Sequence, residues 1–160
     1  MGAGGRGGGR ALFGWRRQVS PRLENSWMTT CGDGDSLPKA STFRDLLAWQ
    51  ASKQLALEVW RCCETPGMRP YYGLCDQLRR AAVSVPSNIA EGNERGTNLD
   101  ALRFLQVARG SLAELETQLE LSRDFGSLPV ADYDRISPQV VRVGRLLGGL
   151  IKARQARQNR

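Results

Sequence analysis

The feature that most constrains the fold is an unbroken series of apolar residues, spaced three and four apart, between residues 97 and 126. Its members are Ala101, Leu105, Ala108, Leu112, Leu115 and Leu119. This spacing aligns the side chains along one side of a helix. Thr97 or Asn98 is expected to cap the N-terminus, and Gly126 to follow the C-terminus. The segment is therefore predicted to be a long helix that packs against other helices.

Three further segments show a helical rhythm. The first is predicted from Thr42 to Glu64, with Thr42 and Asp45 in a capping arrangement. Its three–four stripe consists of Leu46, Trp49, Lys53, Ala56, Trp60 and Cys63. The last segment carries Tyr133, Ile136, Val140, Val143, Leu147 and Leu150. There Pro138 leaves two alternatives, a helix kinked at Pro138 or a helix capped by Ser137 with Pro138 in its first turn.

The remaining helix, predicted from Tyr71 to Glu94, contains the unusual stretch AAVSVPSNIAEGNERG. Its inward face is predicted to consist of Leu74, Leu78, Ala81, Val85, Ile89 and Gly92. Val83, Pro86 and Ala90 gather on the opposite side, where a monomer would carry charge. We expect Pro86 to bend the helix and this apolar back to form an oligomer interface. Asn88 is interpreted as a structural polar residue that satisfies carbonyl groups or a facing helix.

These four segments, joined by short breaks, predict an all-α protein, an antiparallel up-down-up-down four-helix bundle over residues 41–156. Residues 157–160 form a basic tail. Residues 1–40 are rich in Gly and Arg and are predicted to be a disordered arm and linker. There are two alternatives to an arm without a dedicated role. The arm could bind RNA, or it could result from an upstream start codon, with Met28 as the true beginning. No apolar run reaches the ~20 residues of a membrane span, and a cytoplasmic location is expected.

The residue inventory argues against catalysis. The sequence has no histidine, which removes imidazole bases and histidine metal ligands. Ser84, Ser87 and Ser111 have no plausible base, and EGNERG lacks the Lys-Ser/Thr of a phosphate-binding loop. The four cysteines form no CxxC pair and are expected to be buried reduced thiols. We therefore predict no enzyme activity, no metal and no cofactor.

The charge distribution favours an anionic partner. The formal net charge is +7, and no acidic residue follows Asp134. The candidate phosphate-binding residues are Arg79 and Arg80 on the second helix, and Arg142, Arg145, Lys152 and Arg154 near the C-terminus. The alternative is that the last turns complement the helix dipole and solvate the surface. Trp49 and Trp60 are interpreted as core or interface residues ahead of base-stacking residues.

The segments FRDLLAWQASKQLALEVW, RRAAVSVPSNIAEG and GSLAELETQLELS resemble the bacterial four-helix bundle proteins encoded in intervening sequences of the 23S ribosomal RNA gene. They are also similar to the accessory variability determinant proteins of diversity-generating retroelements. The resemblance covers residues 42–155. It implies a homopentamer with a basic surface for nucleic acid and no enzymatic activity, and, for the retroelement members, a reverse transcriptase and its template RNA as partners.

Two functions from different classes follow from these observations. The first is a non-enzymatic, homo-oligomeric, basic scaffold that binds RNA or DNA through the phosphate backbone. The second is a protein-interaction module whose basic face docks an acidic protein without nucleic acid.

Overall fold

The computed structural model describes residues 42–158. A short 3-10 turn, Phe43–Asp45, precedes four α-helices. These are α1 (Leu47–Cys63), α2 (Tyr72–Glu94), α3 (Asn98–Asp124) and α4 (Val130–Gln158). No strand occurs among the described residues, which confirms the predicted all-α class. The predicted arm of residues 1–40 lies outside this range, and α4 extends into the predicted basic tail.

The helices pack in the order of the chain around a closed square. α1 contacts α2, α2 contacts α3, α3 contacts α4, and α4 returns to α1. Short turns join consecutive helices, so neighbours are antiparallel and the bundle is up-down-up-down, as predicted. Helices α2 and α4 lie diagonally across the bundle and touch at one end, where Arg154 donates to Asn93. The candidate phosphate-binding residues Arg79 and Arg80 on α2 are therefore distant from Arg142, Arg145 and Lys152 on α4.

The first predicted helix begins later than the apolar pattern indicated. Thr42 forms the expected capping box, in which its backbone N–H donates to Asp45 Oδ2 at 2.9 Å and its Oγ1 accepts from the Arg44 N–H at 3.2 Å. This box closes only the 3-10 turn. Leu46 then adopts an extended conformation, and α1 starts at Leu47. The predicted start at Thr42 is therefore wrong, because capping chemistry does not determine how far a helix continues.

The core face of α1 is rotated from the predicted three–four stripe. The buried residues of α1 are Ala48, Ser52, Leu55, Val59, Cys62 and Cys63, whereas Lys53 and Trp60 of the predicted stripe are exposed. Ser52 satisfies its buried hydroxyl by donating to the Trp49 carbonyl at 2.9 Å. The buried face of α1 thus combines the small Ala48 and Ser52 with Leu55 and Val59, while Leu47, Leu57 and Trp60 stay exposed.

The ends of α3 agree with the prediction. Its six-residue apolar series is buried throughout. Thr97 is the N-cap, and its side chain accepts from the Asp100 N–H at 3.1 Å. Gly126 follows α3 with a φ of 72°, the left-handed conformation that favours glycine after a helix C-terminus.

Helix α4 runs through Pro138 without a new cap. It begins at Val130, and Pro138 lies inside it. The alternative in which Ser137 caps the helix is therefore wrong. Pro138 is exposed, so water can hydrate the carbonyl group that its missing N–H leaves free.

Gly92 allows α2 and α3 to approach closely. A methyl group on Gly92 would lie 3.1 Å from the Ala101 carbonyl oxygen and 3.1 Å from Phe104 Cβ. We expect Gly92→Ala to lower the free energy of unfolding by about 1–2 kcal/mol, because overpacking at this contact outweighs the gain in helix propensity. Urea unfolding measures this difference. Gly73→Ala is the matched control, because its methyl group meets nothing within 4 Å, and an equal loss in both variants would contradict the packing argument.

Candidate nucleic-acid interface

Three cations form an exposed line on α4. Arg142, Arg145 and Lys152 fall within a narrow arc at 100° per residue, opposite the buried residues of the same helix. All three are exposed, and none forms an ion pair within residues 42–158. At 1.5 Å per residue they extend over about 15 Å. We call these three residues the α4 stripe.

The two candidate arginines on α2, unlike the residues of the α4 stripe, both form ion pairs. Arg79 pairs with Glu64 Oε1 at 2.5 Å, and its guanidinium carbon lies 4.8 Å from the centre of the Trp60 ring. Arg80 pairs with Asp76 one turn earlier on α2. Phosphate would have to compete with these carboxylates, so Arg79 and Arg80 are less available than the α4 stripe. Because α2 and α4 are diagonal, one protomer does not bring the two groups together.

Arg154 holds the end of α4 against the turn between α2 and α3. Its guanidinium donates to Asn93 Oδ1 at 3.1 Å, and its backbone carbonyl accepts from Asn98 Nδ2 at 2.7 Å. Burial lowers the pKa of Arg154, and the nearby Arg157 lowers it further. Arg154 is therefore partly committed to packing, and we leave it out of the α4 stripe.

The apolar back of α2 borders an open groove between α1 and α2, which we call the α1–α2 groove. Val83 is 45% exposed, and Pro86 and Ala90 are half-buried. Trp60, which is 49% exposed, and Val83 line a cavity of about 570 Å³ with Asp76, Arg79, Arg80 and Ser84. Such an apolar surface is typical of a protein contact. Its use as an oligomer interface stays a prediction.

Asn88 belongs to a chain of hydrogen bonds between α2 and α3. Its Nδ2 donates to the Ser84 carbonyl at 2.8 Å and to Ser84 Oγ at 3.0 Å. Ser84 Oγ lies 2.8 Å from Ser111 Oγ, which donates to the Val107 carbonyl at 3.1 Å. Asn88 thus donates to a carbonyl group of its own helix, and its role as a structural polar residue stays a prediction. The link to the facing helix runs through Ser84 rather than through Asn88 itself.

Sequence reasoning missed a second group of cations, at the turn between α2 and α3. Arg95 lies with its guanidinium carbon 4.5 Å from the centre of the Phe104 ring. Arg103, one turn along α3 from Asp100, pairs with that carboxylate at 3.5 Å. The sequence contains one signal for this group: an arginine lies on each side of the predicted helix break, and an aromatic residue is nearby. Only the packing of α2 on α3 shows that they meet.

Three of the four cysteines are buried free thiols, as predicted. Cys62, Cys63 and Cys75 lie inside the bundle, while Cys31 falls outside the described residues. Burial raises the pKa of Cys63 to about 12, and the adjacent Cys75 adds to the increase. Burial likewise raises the pKa of Cys62 to about 11. Reactive cysteines carry a lowered pKa, so these thiols are structural.

The raised thiol pKa values predict a loss of stability at alkaline pH. In the unfolded chain the thiols ionise near pH 9, while in the folded protein they retain their protons. Their contribution is therefore complete below pH 9 and disappears as pH rises toward about 11 for Cys62 and about 12 for Cys63. Urea unfolding between pH 8 and pH 10.5 should show a steeper decline for the natural protein than for the Cys62→Ala/Cys63→Ala variant. Parallel declines would contradict this account.

The described residues thus define an all-α bundle with an unpaired cationic stripe. The chain belongs to the 23S rRNA-intervening sequence protein family, whose model matches residues 44–149. A comparison with curated proteins found no match.

A solved structure supports the fold independently. It is a protein of unknown function from the S23 ribosomal protein family of Bacteroides thetaiotaomicron. The two chains share 20% sequence identity with a TM-score of 0.61, and the match covers 66% of this chain and 99% of the other. At this identity the likeness shows the fold alone.

Residues 42–158 provide neither a membrane-spanning helix nor a cluster of metal ligands. No helix in this range is long and apolar enough to cross a membrane. The same part of the chain contains no cluster of three or more histidine, cysteine or acidic residues suited to a metal ion.

Proposed function

We propose that this protein is a non-enzymatic, homo-oligomeric scaffold that binds nucleic acid, preferably RNA, through the phosphate backbone. The α4 stripe makes the contact. The observation that supports this most strongly is that Arg142, Arg145 and Lys152 are exposed and have no carboxylate partner among the described residues. Ion pairs elsewhere on the bundle occupy most of the other arginines.

The dimensions of the α4 stripe suit a polynucleotide backbone. Its length of about 15 Å corresponds to about four nucleotides at 3.4 Å per nucleotide of one strand. Arginine and lysine can pair with a phosphate whatever base it carries, and the stripe lies on the exposed face of a single helix, so we propose binding to the backbone without sequence preference. RNA is preferred as the ligand because the family takes its name from an intervening sequence of 23S ribosomal RNA. A cytoplasmic location fits this ligand.

The proposed assembly multiplies the stripe. In a homopentamer, which the family resemblance implies, five copies would present five α4 stripes, and the α1–α2 groove around Val83 would be covered by a neighbouring copy. Repeated weak phosphate contacts then add through effective concentration. A reverse transcriptase working on a bound RNA template is the kind of enzyme that such a scaffold would assist.

The dependence of binding on salt tests the phosphate contact. We expect the affinity of the purified chain for a 20-nucleotide RNA to fall by more than tenfold between 50 and 200 mM salt, because each neutralised phosphate releases counterions. Fluorescence anisotropy measures the affinity. Binding that ignores salt would contradict the proposal. Capture of an acidic protein that persists after nuclease treatment would instead favour a protein-docking module.

A further inference from the structure

An open cavity of about 400 Å³ lies where α2 ends and α3 begins. It is lined by Arg95, Asp100, Arg103, Phe104 and Val107. This volume falls within the ~300–1,000 Å³ typical of small-ligand sites. The cavity is separate from the α4 stripe and from the groove around Val83, which Trp60 lines from α1.

One side of the cavity combines two stacked planar groups with an aliphatic side chain. The Arg95 guanidinium lies on the Phe104 ring, with 4.5 Å between its central carbon and the ring centre. Glu91 pairs with Arg95 one turn earlier on α2. Val107 is 52% exposed and lines the same cavity. A planar, electron-rich ring is the chemical group that a guanidinium–aromatic pair beside an aliphatic wall accommodates best.

Another side of the cavity is cationic. Arg103 has a side chain that is 73% exposed, and its pairing with Asp100 is long at 3.5 Å. Exposed pairs of this kind contribute little, so a phosphate can take the place of the carboxylate at Arg103. A guanidinium can hold a phosphate through two parallel hydrogen bonds. The cavity thus offers a stacking surface and a phosphate-binding group together.

We propose that this cavity binds one nucleotide of single-stranded RNA. The base packs against Arg95, Phe104 and Val107, and the phosphate pairs with Arg103. Single strands are preferred because a duplex keeps the faces of its bases stacked on each other. The choice of RNA as the polymer rests on the proposed function. The cavity lies at the same end of the bundle as the C-terminal part of the α4 stripe. Arg154, two residues beyond Lys152, bonds to Asn93 and Asn98 on either side of the α2–α3 turn.

A mononucleotide titration tests the cavity without reference to the α4 stripe. We expect adenosine 5′-monophosphate to shift the methyl resonances of Val107 in the full chain, and ribose 5-phosphate, which lacks the base, to shift them much less. Equal shifts with both compounds, or none with either, would overturn the assignment of a base-binding site.

A second measurement tests the source of the nucleotide. We expect Phe104→Leu, which retains bulk beside Gly92, and Arg95→Gln each to weaken binding of a 12-nucleotide oligoadenylate by on the order of tenfold. Binding of the corresponding RNA duplex should not change. Loss of duplex and single-strand binding alike, or of neither, would overturn the inference. A Val107 shift with adenosine monophosphate but unchanged RNA affinity would assign the cavity to a free nucleotide and overturn the RNA assignment.

The failure of this inference is distinguishable from failure of the proposed function. Arg142→Glu/Arg145→Glu is expected to weaken both single-stranded and double-stranded RNA, because it removes backbone contacts. If that variant loses RNA while Phe104→Leu and Arg95→Gln keep their single-strand affinity, the cavity assignment fails and the α4 stripe stands. If the natural chain binds neither RNA, the proposed function and the RNA assignment of the cavity both fail, and the adenosine monophosphate titration decides only whether the cavity binds a free nucleotide.

Discussion

The Arg142→Glu/Arg145→Glu variant is expected to bind RNA on the order of a hundredfold more weakly than the natural chain at low salt. Two of the three unpaired cations of the α4 stripe become anions, so attraction to phosphate is replaced by repulsion. The slope of log affinity against log salt should also become shallower by about 1.4 for a single strand, which corresponds to two lost phosphate contacts. Fluorescence anisotropy across a salt series measures both quantities.

The matched control changes the same charge at paired positions. Arg61 pairs with Glu58 at 2.6 Å, and Arg69 pairs with Glu64 at 3.8 Å. Arg61→Glu/Arg69→Glu therefore lowers the net charge by the same amount without touching the α4 stripe. We expect this control to lose much less affinity. Equal losses in the two variants would show that net charge, rather than the α4 stripe, attracts RNA.

The Val83→Glu variant is expected to break the assembly. In the proposed oligomer a neighbouring copy covers Val83 and its surroundings. A carboxylate buried there would cost roughly several kcal/mol per contact, because the adjacent Arg79 and Arg80 already pair with Glu64 and Asp76. Dissociation should also weaken RNA binding, since single stripes lose the advantage of being linked. Sedimentation velocity measures the assembly, and anisotropy measures the affinity.

Val107→Glu is the matched control for assembly. Val107 is 52% exposed, close to the 45% of Val83, and lies on α3 beside the second cavity. We expect this variant to keep the oligomeric state of the natural chain. If Val83→Glu sediments like Val107→Glu, or if the natural chain is a monomer at working concentration, the α1–α2 groove is not an interface between copies.

The periodicity of the sequence predicted α3 well, because its six-residue apolar series is unbroken, whereas its other apolar residues, such as Leu99, Val107 and Leu121, form no continuous series and are exposed. α1 was harder. Leu47, Leu57 and Trp60 are exposed, whereas Ala48 and Ser52 are buried. Several faces of this helix carry apolar residues, so spacing alone does not identify the one that packs. The neighbouring helices make that choice, through shape as well as hydrophobicity.

Helix α4 shows a different limit of prediction from sequence. A proline inside an apolar pattern is compatible with a cap or with an uninterrupted helix, and both satisfy the same local rules. The structure keeps the helix because Ile136 and Val140, on either side of Pro138, are both buried in the core. Burial of these flanking residues outweighs the missing hydrogen bond at an exposed position.

The candidate site was predictable in part. The sequence indicates that Arg142, Arg145 and Lys152 share one face of α4, since this follows from the helical period. It does not indicate that α2 lies diagonally opposite α4 or that Arg79 pairs with Glu64, because both depend on which helices pack together. The pairing of Arg80 with Asp76, four residues apart on one helix, follows from the helical period alone. The cavity at Arg95 and Phe104 again depends on which helices pack together.

Ultraviolet cross-linking of the full chain to a single-stranded RNA, followed by mass spectrometry of the attached peptides, tests the central claim most directly. The account predicts attachment to peptides that span residues 141–153 of α4, and loss of that attachment in Arg142→Glu/Arg145→Glu. Attachment confined to residues 1–40, with α4 unlabelled and the double variant binding normally, would contradict it.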